Sequence, residues 1–148
     1  MRALFRSGIT VLTVVAAALL GGADGATASP QEQEFVYHGA SYGYAGATFD
    51  WTGPGSVANI DLIVSDWACD NHPVYAYFEF WDGALRPDRI PGSYYDYSGC
   101  DTGDYSPYPD LSYHDSRNIT YMTVVICGLG PNSGCEAGFL SGRNPHAP

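Results

Sequence analysis

The residues from Val74 to Trp81 (VYAYFEFW) alternate with a period of two, placing Val74, Ala76, Phe78 and Phe80 on one side and Tyr75, Tyr77, Glu79 and Trp81 on the other. A strand with one apolar and one amphipathic face must lay the apolar face on a second layer. The same period recurs around Ile60, Leu62 and Val64, which oppose Asp61, Ile63, Ser65 and Trp67. It returns near the end, where Met122, Val124 and Ile126 oppose Tyr121, Thr123 and Val125. No segment after residue 28 holds a 3.6-residue apolar period through three turns, and eighteen glycines and ten prolines punctuate the chain. The expected fold is all-β: a small antiparallel sandwich or partly closed barrel of about six or seven strands, stapled by two disulfides.

The intervening chain is less regular. Residues 29–34 are polar and proline-led and read as a loose N-terminal arm. Residues 35–38 begin a first strand, 39–46 read as turn or irregular extended chain, and Phe49-Asp50-Trp51 as a short edge strand before the breaker Gly53-Pro54-Gly55. Residues 82–116 are rich in Gly, Pro, Asp and Tyr, with one short strand expected at 93–97. Residues 141–148 read as a frayed tail, which leaves 35–140 as a single β domain.

The first 28 residues carry an address. Arg2 and Arg6 precede an apolar run from Gly8 to Leu20, and Ala26-Thr27-Ala28 supplies a small-x-small cleavage pattern, which together predict a secretory signal peptide. A spanning helix needs about 20 apolar residues, and Gly21, Gly22 and Asp24 end the run sooner.

Cys69, Cys100, Cys127 and Cys135 all follow that cut, an even number suited to an oxidising compartment. The turn-forming segment Gly128 to Gly134 lets Cys127 and Cys135 close a local hairpin, which leaves Cys69 for Cys100; the bare spacing allows three pairings. Zinc is the competing use of these cysteines, but no C-x2-C pair occurs.

Charge excludes several partners. Six arginines and no lysine stand against sixteen acids, a formal net charge of −10; removing residues 1–28 leaves four arginines and fifteen acids, or −11. Such a chain repels phosphate backbones and anionic membranes, so neither nucleic acid nor membrane is expected as a partner. An extracellular glycan or protein fits better.

Chemistry-bearing motifs are scarce. There is no G-x-S-x-G elbow, no H-E-x-x-H and no Walker loop. His72, before Pro73, reads as a hydrogen-bonded turn residue. His114, within Tyr113-His114-Asp115, is the candidate base for a hydrolase and reads also as an exposed loop residue; Glu79 is the candidate acid, with no identifiable partner. Asp101, Asp104 and Asp110 lie in an acidic stretch that could supply calcium ligands, though they match no EF-hand spacing and also read as a solvated loop; no obligatory metal or cofactor is expected. The face Tyr75, Tyr77, Glu79 and Trp81 combines amphipathic rings with a carboxylate, as a sugar-stacking surface does, and equally suits rings that cover a second layer. The loop between Cys127 and Cys135 has the constrained form of a protease-inhibitor loop, or of an ordinary stapled hairpin. The leading expectation is a binding or interaction protein rather than an enzyme, with glycan binding its specific form.

The lysine-free composition, the Ala/Gly-rich leader, and Ala68-Cys69-Asp70-Asn71-His72-Pro73-Val74-Tyr75-Ala76 followed by Ile126-Cys127 and Cys135 resemble the small secreted, disulfide-containing proteins of streptomycetes and related actinobacteria. The resemblance implies export and disulfides. It implies no activity and carries over no catalytic residue.

Overall fold

The computed structural model describes residues 26–27, 31–37, 40–99, 103–138 and 141–148. Ten strands run in chain order: β1 Ala26–Thr27, β2 Gln31–Tyr37, β3 Ala40–Gly53, β4 Ser56–Asp66, β5 Val74–Trp81, β6 Asp88–Arg89, β7 Tyr94–Asp96, β8 Ser106–His114, β9 Tyr121–Gly128 and β10 Gly134–Ala137. They form two antiparallel five-stranded sheets. In the first, β3 pairs with both β1 and β2 on one side and with β4 on the other, and β8 follows β4 at the edge. In the second the order is β10, β9, β5, with β6 and β7 pairing different stretches of β5. The sheets face each other as a sandwich and do not close into a barrel.

The core lies where the alternation places it. Val74, Ala76, Phe78 and Phe80 of β5 and Met122, Val124 and Ile126 of β9 are buried against Val57, Ile60, Leu62 and Val64 of β4. Removing such side chains from water supplies the main drive for joining the sheets, at about 25 cal/mol per Å² of apolar area. Phe49 and Trp51 are also buried, packed edge to face 5.1 Å apart.

Several expectations change. Ten strands replace six or seven, because three are only two or three residues long and two long ones arise from unpromising sequence. Residues 40–46 and the supposed edge strand at Phe49–Trp51 belong to one fourteen-residue strand, β3, inside the sheet. Gly43 is required there: a Cβ would lie 2.9 Å from the Ser65 carbonyl oxygen and 3.0 Å from Val74. Strand β2 pairs along β3 and takes in residues 31–34, where a loose arm was expected, as well as residues 35–37, where a first strand was expected. Within residues 82–116, β7 lies in the short strand expected at 93–97, and β8 is a further strand, whose Pro107 and Pro109 cannot donate to a ladder and so suit an edge.

The tail is not frayed. Asn144 is fully buried, and its side-chain amide donates to the carbonyls of Gly53 at 3.0 Å, Pro54 at 3.2 Å and Ile119 at 2.8 Å. One side chain thus joins the β3–β4 turn to the chain entering β9. Gly55 of that turn has no room for a Cβ, which would sit 2.3 Å from the Asp115 carbonyl oxygen.

Cys127 and Cys135 are disulfide-bonded across the directly opposed pair of β9 and β10. Cys69 is also disulfide-bonded. Its expected partner Cys100 lies outside the described residues, as do Asp101 and most of the expected signal peptide. A disulfide is compatible with an extracellular location, and no helix among the described residues is long and apolar enough to cross a membrane.

Candidate functional site

The most distinctive surface begins on the outer side of β5. Pairing sets Tyr75 directly opposite Tyr95 of β7, so both rings leave the same face. Their centroids lie 5.2 Å apart, with Tyr77 6.3 Å beyond Tyr75 and Tyr97 5.7 Å beyond Tyr95. Adjacent planes differ by 20° to 29°, which makes a near-parallel row from Tyr77 through Tyr75 and Tyr95 to Tyr97. Tyr97 is 73% exposed, and the other three are half-buried.

Polar groups flank the inner end of the row. The Tyr77 hydroxyl donates to Glu79 at 3.4 Å, and the Arg89 guanidinium lies 3.9 Å from the Tyr77 ring centre. Burial, reinforced by the Glu79 carboxylate, raises the pKa of the Tyr77 phenol, keeping it a neutral donor. Trp81 departs from the expected face in one respect: its indole N–H is buried with no acceptor among the described residues, so that donor is not offered outward.

At its other end the row runs into a cleft. It is lined by Tyr97, Ser98 and Gly99 and by Asp66, Ala68, Asn71, His72 and Pro73 from the segment that crosses between the sheets; its volume is about 250 Å³. Two acids anchor this end. Asp96 accepts from the Asp66 amide at 2.8 Å, from the Ser98 amide at 3.1 Å, and from the hydroxyls of Ser98 and Ser106 at 2.8 and 3.0 Å. Burial pushes the Asp96 carboxyl upward, but these four donors outweigh it and hold the group below the usual carboxylate range. Asp66 accepts from the Ala68 amide at 2.9 Å; burial raises its pKa, and the charges of Asp96 and Asp70 raise it further.

His72 stands at the rim. Its amide donates to the Asp70 carboxylate at 3.0 Å, as expected of a turn residue. Its ring Nδ1 lies 2.7 Å from the Asp70 carbonyl oxygen; a carbonyl only accepts, so Nδ1 carries a proton. The ring rests on Gly130, in the 3-10 turn Gly130–Asn132 between the bridged cysteines, where a Cβ would come within 2.4 Å of it.

No family model, curated protein or solved structure matches the chain. The site is therefore read from its own geometry.

The other candidates are dispersed. His114 lies in strand β8, its Nδ1 2.8 Å from the Ser56 hydroxyl. The neighbouring Asp115 is gripped by Arg117 and by the Tyr113 hydroxyl, which hold its carboxyl well below the usual range. Arg117 also bridges to Asp82 and Asp88, so one guanidinium is shared among three carboxylates. Asp104 contributes its carbonyl to the Ser65 hydroxyl, and Asp110 sits within β8 with its amide bound to Asp61. Along chain that is largely extended, a separation of six residues amounts to roughly 20 Å, too far for these two carboxylates to share an ion. Among the described residues no group of three or more His, Cys, Asp or Glu side chains is placed to hold a metal.

The sequence reading found Tyr75 and Tyr77 but missed Tyr95, Tyr97 and the cleft. The triplet Tyr94-Tyr95-Asp96 followed by Tyr97 carried the signal in part, since alternation sends Tyr95 and Tyr97 to the side opposite Tyr94. The pairing of β7 with β5 had no marker.

Proposed function

We propose that this protein is an exported, non-catalytic binding module for an extracellular glycan. The observation that carries the reading is the row Tyr77, Tyr75, Tyr95 and Tyr97, mounted on two paired strands and opening into a cleft. Tyrosine suits sugar recognition: each ring offers apolar surface while its hydroxyl exchanges hydrogen bonds, and little side-chain entropy is lost on binding. A rigid sheet holds the rings in place before the ligand arrives, which lowers the cost of association. The cleft adds convergent polar groups from Asp66, Asn71, His72 and Ser98, the combination typical of small-molecule sites.

Export rests on the amino-terminal pattern, the disulfides, and the resemblance to small secreted actinobacterial proteins. The acidic surface disfavours anionic partners and leaves neutral or cationic polymers. The test is retention of the purified protein on a panel of insoluble polysaccharides. Retention on at least one, competed by its soluble oligosaccharides, is the expected result; passage through all of them ends the reading.

A further inference from the structure

We infer that the connection between β5 and β6 is a proteolytic processing site: an extracellular protease with an apolar specificity pocket cuts it between Leu85 and Arg86, and the nicked chain stays folded. The connection contributes no residue to the tyrosine row or the cleft. Gly83, Ala84, Leu85 and Arg86 are all exposed, and Leu85, at 99%, is more exposed than any other large apolar residue described. Gly83 adopts a φ of 95°, and no atom lies within 4 Å of where its Cβ would stand. Among the described residues, the one hydrogen bond that reaches the backbone of 83–87 is local, from the Ala84 amide to the Asp82 carboxylate at 3.0 Å. Such a tip can be drawn into a protease cleft without disturbing a sheet.

The other exposed large apolar residues lack this freedom. The Ser98 amide that follows Tyr97 donates to Asp96 at 3.1 Å, and Tyr105 leads directly into β8, whose Ser106 pairs with Val64. Leu129 lies inside the loop closed by Cys127 and Cys135, next to Gly130 and its contact with the His72 ring.

Both sides of the cut are anchored. Before it, Trp81 pairs with Tyr121 of β9. After it, Asp88 and Arg89 pair with Phe80 and Glu79, the Ile90 amide donates to the Phe78 carbonyl at 2.9 Å, and the Ile90 side chain enters the core. Arg117 joins the two sides directly: its Nη1 lies 2.9 Å from the Asp82 carboxylate and 2.5 Å from that of Asp88, while its Nε is held by Asp115. Hydrolysis adds one water across the Leu85–Arg86 amide, leaving a carboxylate on Leu85 and an amino group on Arg86, and breaks none of these contacts. The next bond along is a poor substrate, because Pro87 follows Arg86 and restricts the backbone on both sides of it.

Limited digestion of the purified full chain with subtilisin, whose specificity pocket accepts leucine, and in parallel with trypsin, tests this through the masses of the fragments. The expected first cut within residues 40–148 is the subtilisin cut after Leu85, giving a product that elutes as one particle and melts within about 5 °C of the intact chain. Trypsin should leave the loop whole. Leu85→Asp should slow the subtilisin cut at least about tenfold, and Arg117→Gln should lower the melting midpoint of the nicked form more than that of the intact one. A first cut elsewhere in residues 40–148, no cut at all, a nicked product that separates or unfolds, or a rate that Leu85→Asp leaves unchanged overturns the inference. Equal losses for the two forms of Arg117→Gln overturn the part given to Arg117.

Discussion

The backbone amide of Asp66 donates to the carboxylate of Asp96 across a distance of 2.8 Å, tying the last residue of β4 in one sheet to the last residue of β7 in the other. Both acids are 2% exposed, yet their environments act in opposite directions: Asp96 satisfies four donors, whereas Asp66 is buried among charges of its own sign.

The two acids should therefore respond differently to neutralisation. Asp96→Asn loses a charge-assisted acceptor and leaves donors unmatched, a cost of about 3 kcal/mol, or a fall in melting midpoint of about 10 °C for a domain of this size. Asp66→Asn keeps an oxygen for the Ala68 amide and removes a poorly compensated charge, so at neutral pH it should be neutral or stabilising. Paired thermal melts check the contrast.

The pH dependence follows with opposite signs. The Asp96 carboxyl lies lower in the folded chain than in the unfolded one, so its stabilisation is present above about pH 4 and disappears as the pH falls through its folded value. The Asp66 carboxyl lies higher in the folded chain, so stability is lost as the pH rises through its folded value. Urea titrations across acidic to neutral pH should show the upper loss vanish in Asp66→Asn and persist in Asp96→Asn.

Asn144→Ala should destabilise by about 3 kcal/mol, since one buried amide serves three carbonyls from two separate connections. The urea midpoint should drop with the slope unchanged. A drop no larger than that of an exposed-site substitution would mean that the tail contributes nothing to the join.

The stapled turn should act on the cleft as well as on stability. Replacing both Cys127 and Cys135 with alanine removes the closure of a short loop, worth about 2.6 kcal/mol on the chain-entropy model. Gly130→Ala meets two obstacles, a backbone φ of 79° and the His72 ring at 2.4 Å. NMR signals of the His72 ring should shift in Gly130→Ala, and glycan affinity should fall with them.

How far the sequence reveals this molecule depends on how local each determinant is. The faces of β5 were legible because alternation is written in consecutive residues, and burial of Val74, Ala76, Phe78 and Phe80 follows directly. Strand β3 was not, because Gly43 and Gly46 look like turn residues until Ser65 and Val74 are seen crowding the Cα of Gly43. Strand β8 was hidden by Pro107 and Pro109, which an edge tolerates and a central strand does not. The tail was hidden by its polarity, since Asn144 is buried by hydrogen bonding rather than by apolar area. The cleft joins residues 66–73 to 97–99, and only the pairing of β7 with β5 brings those segments together. Of the candidate site, Tyr75 and Tyr77 could be read from the chain, whereas Tyr95, Tyr97 and Asp66 depended on that pairing.

The central claim, that the tyrosine row is a binding surface, is tested most directly by comparing two exposed tyrosines. Tyr97 ends the row and lines the cleft, whereas Tyr105, 58% exposed, belongs to neither. The measurement is the affinity of the native protein, Tyr97→Ala and Tyr105→Ala for whichever polysaccharide oligomer retains the native chain. The account predicts a loss of about tenfold for Tyr97→Ala, near the scale of one well-packed aromatic contact, and none for Tyr105→Ala, with both variants melting as the native protein does. Equal affinities for all three proteins would contradict it.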